Sequence, residues 1–345
     1  MSKTTDKTNV LDTEVIVQDI LNSIDRERER EIVARRFGLF DRKETLEQIG
    51  ELLGITRERV RQLEKAVVTK LRQSGTELPH IPTVEGALLD ALSTAGESAR
   101  VTTLSSMLTA ENTRTDQSRI AFLTELCPAI SVISEDDNFY QAAGNSKVHD
   151  TAKMKSEVTT IVEAIKKAGS PVSTGEMAKL VNMPNDTYAA ALASTSKKLA
   201  TLNGRWGLVK WPTVNPKNIR DKIYVILSEN KKHMHFNEIA EAIKASDFKR
   251  KDVTTQAIHN ELIKDKRFVL IGRGIYALKE WGYDKGTVAD IITAVLKDAK
   301  QPLHRDEIVK RVLKSRFVKE TTILLNLQSK PQFKRVAKAT YDLAK

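Results

Sequence analysis

Apolar positions along this chain recur three and four residues apart, with polar residues between them. That period belongs to helices buried along one face. Val15, Ile16, Ile20 and Leu21 give the first stripe and predict an opening helix over Leu11 to Ile24. From Asp25 the charges alternate in sign, a pattern that predicts a solvated helix start whose Ile32, Val33 and Phe37 turn inward. Leu46, Ile49, Leu52 and Leu53 form a short stripe, and Val60, Leu63, Val67 and Leu71 a longer one, separated by Leu53-Gly54-Ile55. Thr56 stands where an N-cap belongs. A short helix, a glycine-bearing turn and a longer helix predict a helix-turn-helix domain over residues 10–73. Residues 1–9 are polar and predict a disordered tail, while Gln73 to Pro82, with Pro79 and Pro82, reads as the linker that ends the longer helix.

Beyond Pro82 the pattern repeats with a period of about 60–70 residues. Amphipathic stretches open each repeat at Gly86–Gly96, Glu157–Gly169, Lys222–Lys232 and Val288–Lys300. A polar-apolar hinge and a second helical stripe follow at Val101–Thr109, Val172–Val181, Met234–Ile243 and Leu303–Leu313, and then a third helix. Each repeat closes on a strand-like pair, most clearly at Phe268 to Trp281, where Gly272-Arg273-Gly274 supplies the turn. Three helices and a hairpin are the winged-helix order. The expected fold class is therefore mainly α, with a helix-turn-helix domain followed by tandem winged helices at 82–145, 148–212, 215–283 and 285–345.

The predicted second helix of the helix-turn-helix carries a polar face apart from its apolar stripe. Arg57, Arg61 and Lys65 form one row, with Glu58 and Gln62 beside it. Arginine can read guanine with a bidentate pair, glutamate accepts from the cytosine amino group, and glutamine pairs with adenine. The same residues are also compatible with a solvated face laced by ion pairs, since Glu58 and Glu64 flank Arg61.

Arg28-Glu29, Val33 to Leu39 and the run Thr45 to Arg72, with its string TRERVRQLE, resemble region 4 of bacterial sigma-70-type factors. The resemblance implies a helix that enters the major groove of a promoter −35 element. It implies base reading by Arg57, Glu58 and Gln62, and mixed base and phosphate contacts by Arg59 and Arg61. Arg28, Arg36, Thr45 and Glu47 would hold the DNA backbone or dock the first helix. It further implies a grip on the β flap of RNA polymerase. A shortened loop from Phe40 to Glu44, and Ala66 at a position often basic in that family, bear on the −35 preference rather than on the fold. Within the third repeat, His233 to Ala240, Arg267 to Gly272 and Tyr276 to Leu278 resemble HARE-type winged helices, as in the RNA polymerase delta subunit. That likeness implies binding to nucleic acid or to the transcription apparatus.

Composition narrows the field. A formal charge of +11 favours a polyanionic partner, but it is unevenly spread. Residues 82–144 carry 3 basic and 9 acidic side chains, and residues 301–345 carry 11 basic and 4 acidic. The first repeat therefore suits a spacer or a docking surface for a basic protein. The last repeat, with Lys334, Arg335 and Lys338, suits sequence-independent phosphate contact. Lys249-Arg250-Lys251 and Lys264 to Arg267 either touch DNA or face water.

The lone Cys127 reads as a small core residue and excludes an internal disulfide and any cysteine-based zinc site. His233 and His235 have no partner at metal spacing. No phosphate-binding glycine loop, nucleophile elbow or paired acidic motif occurs. No segment resembles the melting helix of sigma region 2, and no apolar run could span a membrane. These features predict a cytoplasmic, nucleoid-associated protein that is not an enzyme, with no metal and no cofactor. The expected partners are promoter-like double-stranded DNA and, through its β flap, RNA polymerase. The expected role is a sequence-specific transcription regulator. The alternative is a delta-like polymerase accessory subunit, and a DNA-processing enzyme is a minor third reading.

Overall fold

Local capping sets the helices of the N-terminal domain. Asp12 accepts from the Val15 amide at the start of α1 (Thr13–Asn22). The alternating charges open α2 (Glu27–Phe37), and Gly38, left-handed at φ 68°, ends it. Thr45 and Gln48 form a reciprocal capping box on α3 (Leu46–Leu53), and Thr56 accepts from Arg59 N at 3.2 Å to start α4 (Arg57–Ser74). The computed structural model describes residues 10–248, 250, 252–283 and 286–344. The expected tail 1–9 lies outside them, as do Lys249 and Lys251 of the basic run.

Contacts divide the chain into two compact units, Met1–Lys210 and Trp211–Lys345. After α4, the first unit continues with α5 (Ile81–Ala95), β1 (Ser98–Arg100), α6 (Val101–Leu108), α7 (Arg114–Leu126), β2 (Ile130–Ile133) and β3 (Ala142–Asn145). The order recurs as α8 (Thr151–Ala168), β4 (Val172–Ser173), α9 (Thr174–Leu180), α10 (Asp186–Thr195), β5 (Leu199–Leu202) and β6 (Arg205–Leu208). In the second unit it recurs twice more. One set is α11 (Ile219–Asn230), β7 (Met234–His235), α12 (Phe236–Ala245), α13 (Thr255–Lys264), β8 (Phe268–Gly272) and β9 (Ile275–Leu278). The other is α14 (Val288–Ala299), β10 (Leu303–His304), α15 (Arg305–Ser315), α16 (Glu320–Ser329), β11 (Phe333–Ala337) and β12 (Thr340–Leu343). Each set forms an antiparallel three-stranded sheet with its last strand in the middle: β1-β3-β2, β4-β6-β5, β7-β9-β8 and β10-β12-β11. The protein is thus mainly α with small antiparallel sheets.

The first strand of each set falls in what the apolar pattern presents as a hinge. Two or three residues are too few to show a period of two, so β1, β4, β7 and β10 are visible only through their pairing with the hairpins.

Pro82 is a second departure. It lies in the first turn of α5 rather than in a linker, where a missing amide costs nothing. Leu78 and Ile81, which flank Pro79, are buried. They belong to one continuous core that joins Ile16, Val17, Ile20, Val33 and Leu39 of the helix-turn-helix domain to Val67 and Leu71 of α4 and to Ile120, Phe122 and Leu126 of α7. Cys127 closes that core, and burial, with Glu85 nearby, pushes its thiol up to about 12.

α7 is gripped on nearly every side, with Arg119 to Thr124 and Leu126 all buried. Its Phe122 meets Phe37 of α2 edge to face, with centroids 5.0 Å apart. Arg119 donates to the Leu39 carbonyl at 2.8 Å and to Glu14 at 2.7 Å. The acidic first repeat is therefore fused to the helix-turn-helix rather than held off it.

The second set locks on through α10. Tyr140 N donates to Thr195 O, Lys197 N donates to Asn138 O, and Arg100 donates to the Ser194 carbonyl. At Gly96, φ 102°, a β-carbon would stand 2.6 Å from the Thr187 carbonyl, so only glycine allows that approach.

Two positions of the apolar stripes in the N-terminal domain face outward. Val15 is 51% exposed, because the buried stripe of α1 runs through Ile16, Val17, Ile20 and Leu21. Leu52 is 55% exposed, with Ile49 and Leu53 taking the inward positions.

Phe122→Ala is expected to lower the unfolding free energy of the first unit by about 3–5 kcal/mol. Hydrogen exchange on that variant should show α2 and α7 losing protection together. Native protection of α2 beside a loosened α7 would contradict a single shared core.

Candidate nucleic-acid interface

The helix-turn-helix rests on a small core of Ile32, Ile49 and Val60, with Leu46, Leu53, Ile55 and Leu63 around it. At Gly50 a β-carbon would come 2.7 Å from the Ile55 carbonyl, so the turn closes directly against α3. These contacts fix α4 in two halves. Its C-terminal half is anchored through Val67 and Leu71 in the large core. In its first two turns only Val60 is buried, and Arg57, Glu58, Arg59, Arg61 and Gln62 are all exposed.

Glu58 and Arg61 form a two-pronged pair at 2.9 and 2.6 Å. The hydrogen bonds to Arg61 hold Glu58 below the usual carboxylate range, and the same bonds raise Arg61. Both side chains remain more than half open to solvent, and exposed pairs of this kind contribute little stability. Arg59 Nη1 lies 3.5 Å from Gln62 Oε1, at the outer limit of a hydrogen bond. Arg57 and Lys65 are exposed and make no hydrogen bond or ion pair to a described residue. The ion-paired face that the sequence left open thus exists, between Glu58 and Arg61.

The supporting residues divide. Arg28 donates to the Leu53 carbonyl at 2.6 Å, capping the C-terminus of α3 with a cation where the helix dipole favours one. Arg36 is half-buried, donating to Glu64 of α4 at 3.2 Å and to the Glu44 carbonyl at 3.3 Å. Thr45 is consumed by its capping box, and Glu47 is exposed in the first turn of α3. The sequence pattern does not reveal Glu64 as the partner of Arg36, because 28 residues separate them and no local spacing links the two.

Lys334, Arg335 and Lys338 belong to the second unit. All three are exposed on the β11–β12 hairpin, of which β11 buries only Phe333. The helices that precede the hairpins differ between units. α7 and α10 are largely buried, whereas α13 buries only Ile258 and Leu262, and α16 only Ile323 and Leu327. His235 caps a helix. Its Nδ1 accepts from the Asn237 amide at the start of α12, and His233 lies against the Phe317 ring. No cluster of metal-ligating side chains occurs among the described residues, nor is any described helix long and apolar enough to cross a membrane.

Residues 26–73, from the start of α2 to the end of α4, match the family model for sigma-70, region 4. Over 57 residues the chain is 46% identical to the RNA polymerase sigma factor SigA of a Bacillus species, an alignment covering 16% of this chain and 15% of that protein. Over 63 residues it is 43% identical to the RNA polymerase sigma factor RpoD of Helicobacter pylori, covering 18% of this chain and 9% of that one. The chain thus spans a small part of the length of the curated relatives it matches, and the similarity lies in the helix-turn-helix.

Proposed function

We propose that the chain is a sequence-specific DNA-binding transcription regulator whose α4 reads a promoter-like, −35-type element. One observation carries this reading. In a segment that matches sigma-70 region 4, the first two turns of α4 present Arg57, Arg61 and Gln62 outward while the rest of the helix is anchored. A major groove about 12 Å wide admits such a helix. Arg57, Glu58 and Gln62 are the base readers, and Arg59, Arg61 and Lys65 contact bases or phosphates. Opening the exposed Glu58–Arg61 pair on binding costs little. Thr45, Glu47, Arg28 and Arg36 set the position of α3 and α4 on the backbone.

Each of the four recurring sets acts as a winged helix, and the third, with His235 capping α12, as a HARE-type one. Those in the first unit brace the reader, since their third helices are buried. Those in the second unit supply further contacts through α13, α16 and the hairpin cations Lys334, Arg335 and Lys338. The protein acts in the cytoplasm at the nucleoid.

A second reading, a polymerase-associated subunit acting through protein contacts, is favoured by the names of the relatives and by two exposed apolar side chains of the reader domain, Phe40 at 43% and Leu52 at 55%. If it holds, the chain co-purifies with core polymerase after nuclease digestion, and Leu52→Asp releases it. Loss of the association on digestion alone returns the choice to DNA.

Two results test the leading reading on a duplex selected from a random pool. Arg57→Ala and Gln62→Ala should each cut discrimination against mismatched duplexes by about 1–3 kcal/mol. Unchanged selectivity in both removes α4 as the reader. The Lys334→Ala/Arg335→Ala protein should bind every duplex more weakly, with a log–log salt slope shallower by about 0.9 for each phosphate it no longer neutralises. Fluorescence anisotropy across a salt series measures both, and an unchanged slope would free those cations of any phosphate role.

A further inference from the structure

The first unit contains a cavity of about 410 Å³ between the reader domain and the first repeat. Phe37 and Lys43 of the reader domain line one side, and Arg100, Arg114, Glu135 and Tyr140 of the repeat line the other. We propose that this cavity binds a phosphorylated small molecule of about mononucleotide size. The inference is independent of how α4 is used.

The charge distribution points to this ligand. Residues 82–144 hold only three basic side chains against nine acidic. Two of the three, Arg100 and Arg114, line this wall, and the third, Arg119, ties the repeat to Leu39 and Glu14. An acidic module has thus turned its cations toward one concavity, where Lys43 meets them from the other side.

The lone acid of the lining, Glu135, is already paired with Lys197 at 2.7 Å. Neither Lys43 nor Arg114 makes a hydrogen bond or ion pair to a described residue. Arg100 is held in place, stacked 3.8 Å over the Tyr140 ring and donating to the Ser194 carbonyl. Desolvation, and then Arg36 close by, lowers Lys43 against the pull of Glu64 and Glu135, and burial lowers Arg100.

Guanidinium and ammonium groups converging from several sides suit the several oxygens of a phosphate. Gln117, Ser118 and Thr102 add neutral polar groups to the same wall, and Phe37 and Tyr140 add aromatic surface for an organic moiety. Convergence into a hollow fits a compact anion better than the convex ribbon of a duplex backbone.

Calorimetry and thermal melting of the full chain with inorganic phosphate, adenosine 5′-monophosphate and adenosine test the site. The two phosphate-bearing probes should bind saturably and raise the melting temperature, and adenosine should do neither. The Lys43→Gln/Arg114→Gln protein changes two exposed side chains without bonded partners, so it should fold as the parent does. It should bind adenosine 5′-monophosphate about ten-fold or more weakly, with duplex affinity and salt slope unchanged. Failure of both phosphate probes to bind, or equal binding by the variant, overturns the proposal. So does a variant that loses duplex affinity with a shallower salt slope, because its cations would then belong to the DNA track.

Discussion

The Arg119 guanidinium, only 9% exposed and held between the Leu39 carbonyl and the Glu14 carboxylate, marks the seam on which the first unit depends. A buried cation persists only where its donors are taken up, and here the acceptors belong to another domain. Around it the apolar surfaces of α1, α2 and the second half of α4 close on α7, with Phe122 against Phe37. The consequence for α4 is mechanical. Its last turns are locked into the core, so its first turns project as a fixed extension rather than as a fraying end.

That seam is hidden from the sequence for a physical reason. The stripe Val60, Leu63, Val67 and Leu71 is legible because its residues are neighbours on one helix. Which of them serve the helix-turn-helix and which serve a distant α7 depends on contacts across long separations. Val60 falls in the small core, Val67 and Leu71 in the large one, and spacing does not distinguish them. The N-caps Thr45 and Thr56, the break at Gly54 and the hairpin around Gly272-Arg273-Gly274 are readable because each is settled by a handful of adjacent residues. Pro82 misleads because proline marks both linkers and first turns. The exposed ends of Arg57 and Gln62 can be placed from the helical period alone, whereas the Arg36–Glu64 tie and the Lys43, Arg100 and Arg114 cavity need the tertiary fold.

The recurring α-β-α-α-β-β order serves two different ends within one chain. In the first unit the third helices, α7 and α10, are spent as mortar. α7 is rich in buried aliphatic and aromatic side chains, and α10 carries small residues such as Ala189, Ala191 and Ala193 that allow close approach. In the second unit α13 and α16 keep one narrow buried stripe each, and the two sets meet instead along a strand edge. There Phe317 N donates to Ile271 O, Arg316 donates to Leu270 O, and Phe317 rests on His233. The join uses backbone groups and leaves the third helices open.

Charge follows the same division. The acidic repeat lies beside the reader domain, where added positive surface would draw a duplex away from α4 toward non-specific contacts. The excess of positive charge is placed instead in residues 301–345, on a different compact unit. On the proposed function, base recognition by α4 and phosphate attraction by residues 301–345 fall to different compact units. α4 itself carries six cations against two acids, and of its exposed first turns only Arg61 is offset, by its pair with Glu58. A surface that discriminates between bases benefits from being weak everywhere except at its correct site, and distributing the phosphate affinity elsewhere is one way to keep it so.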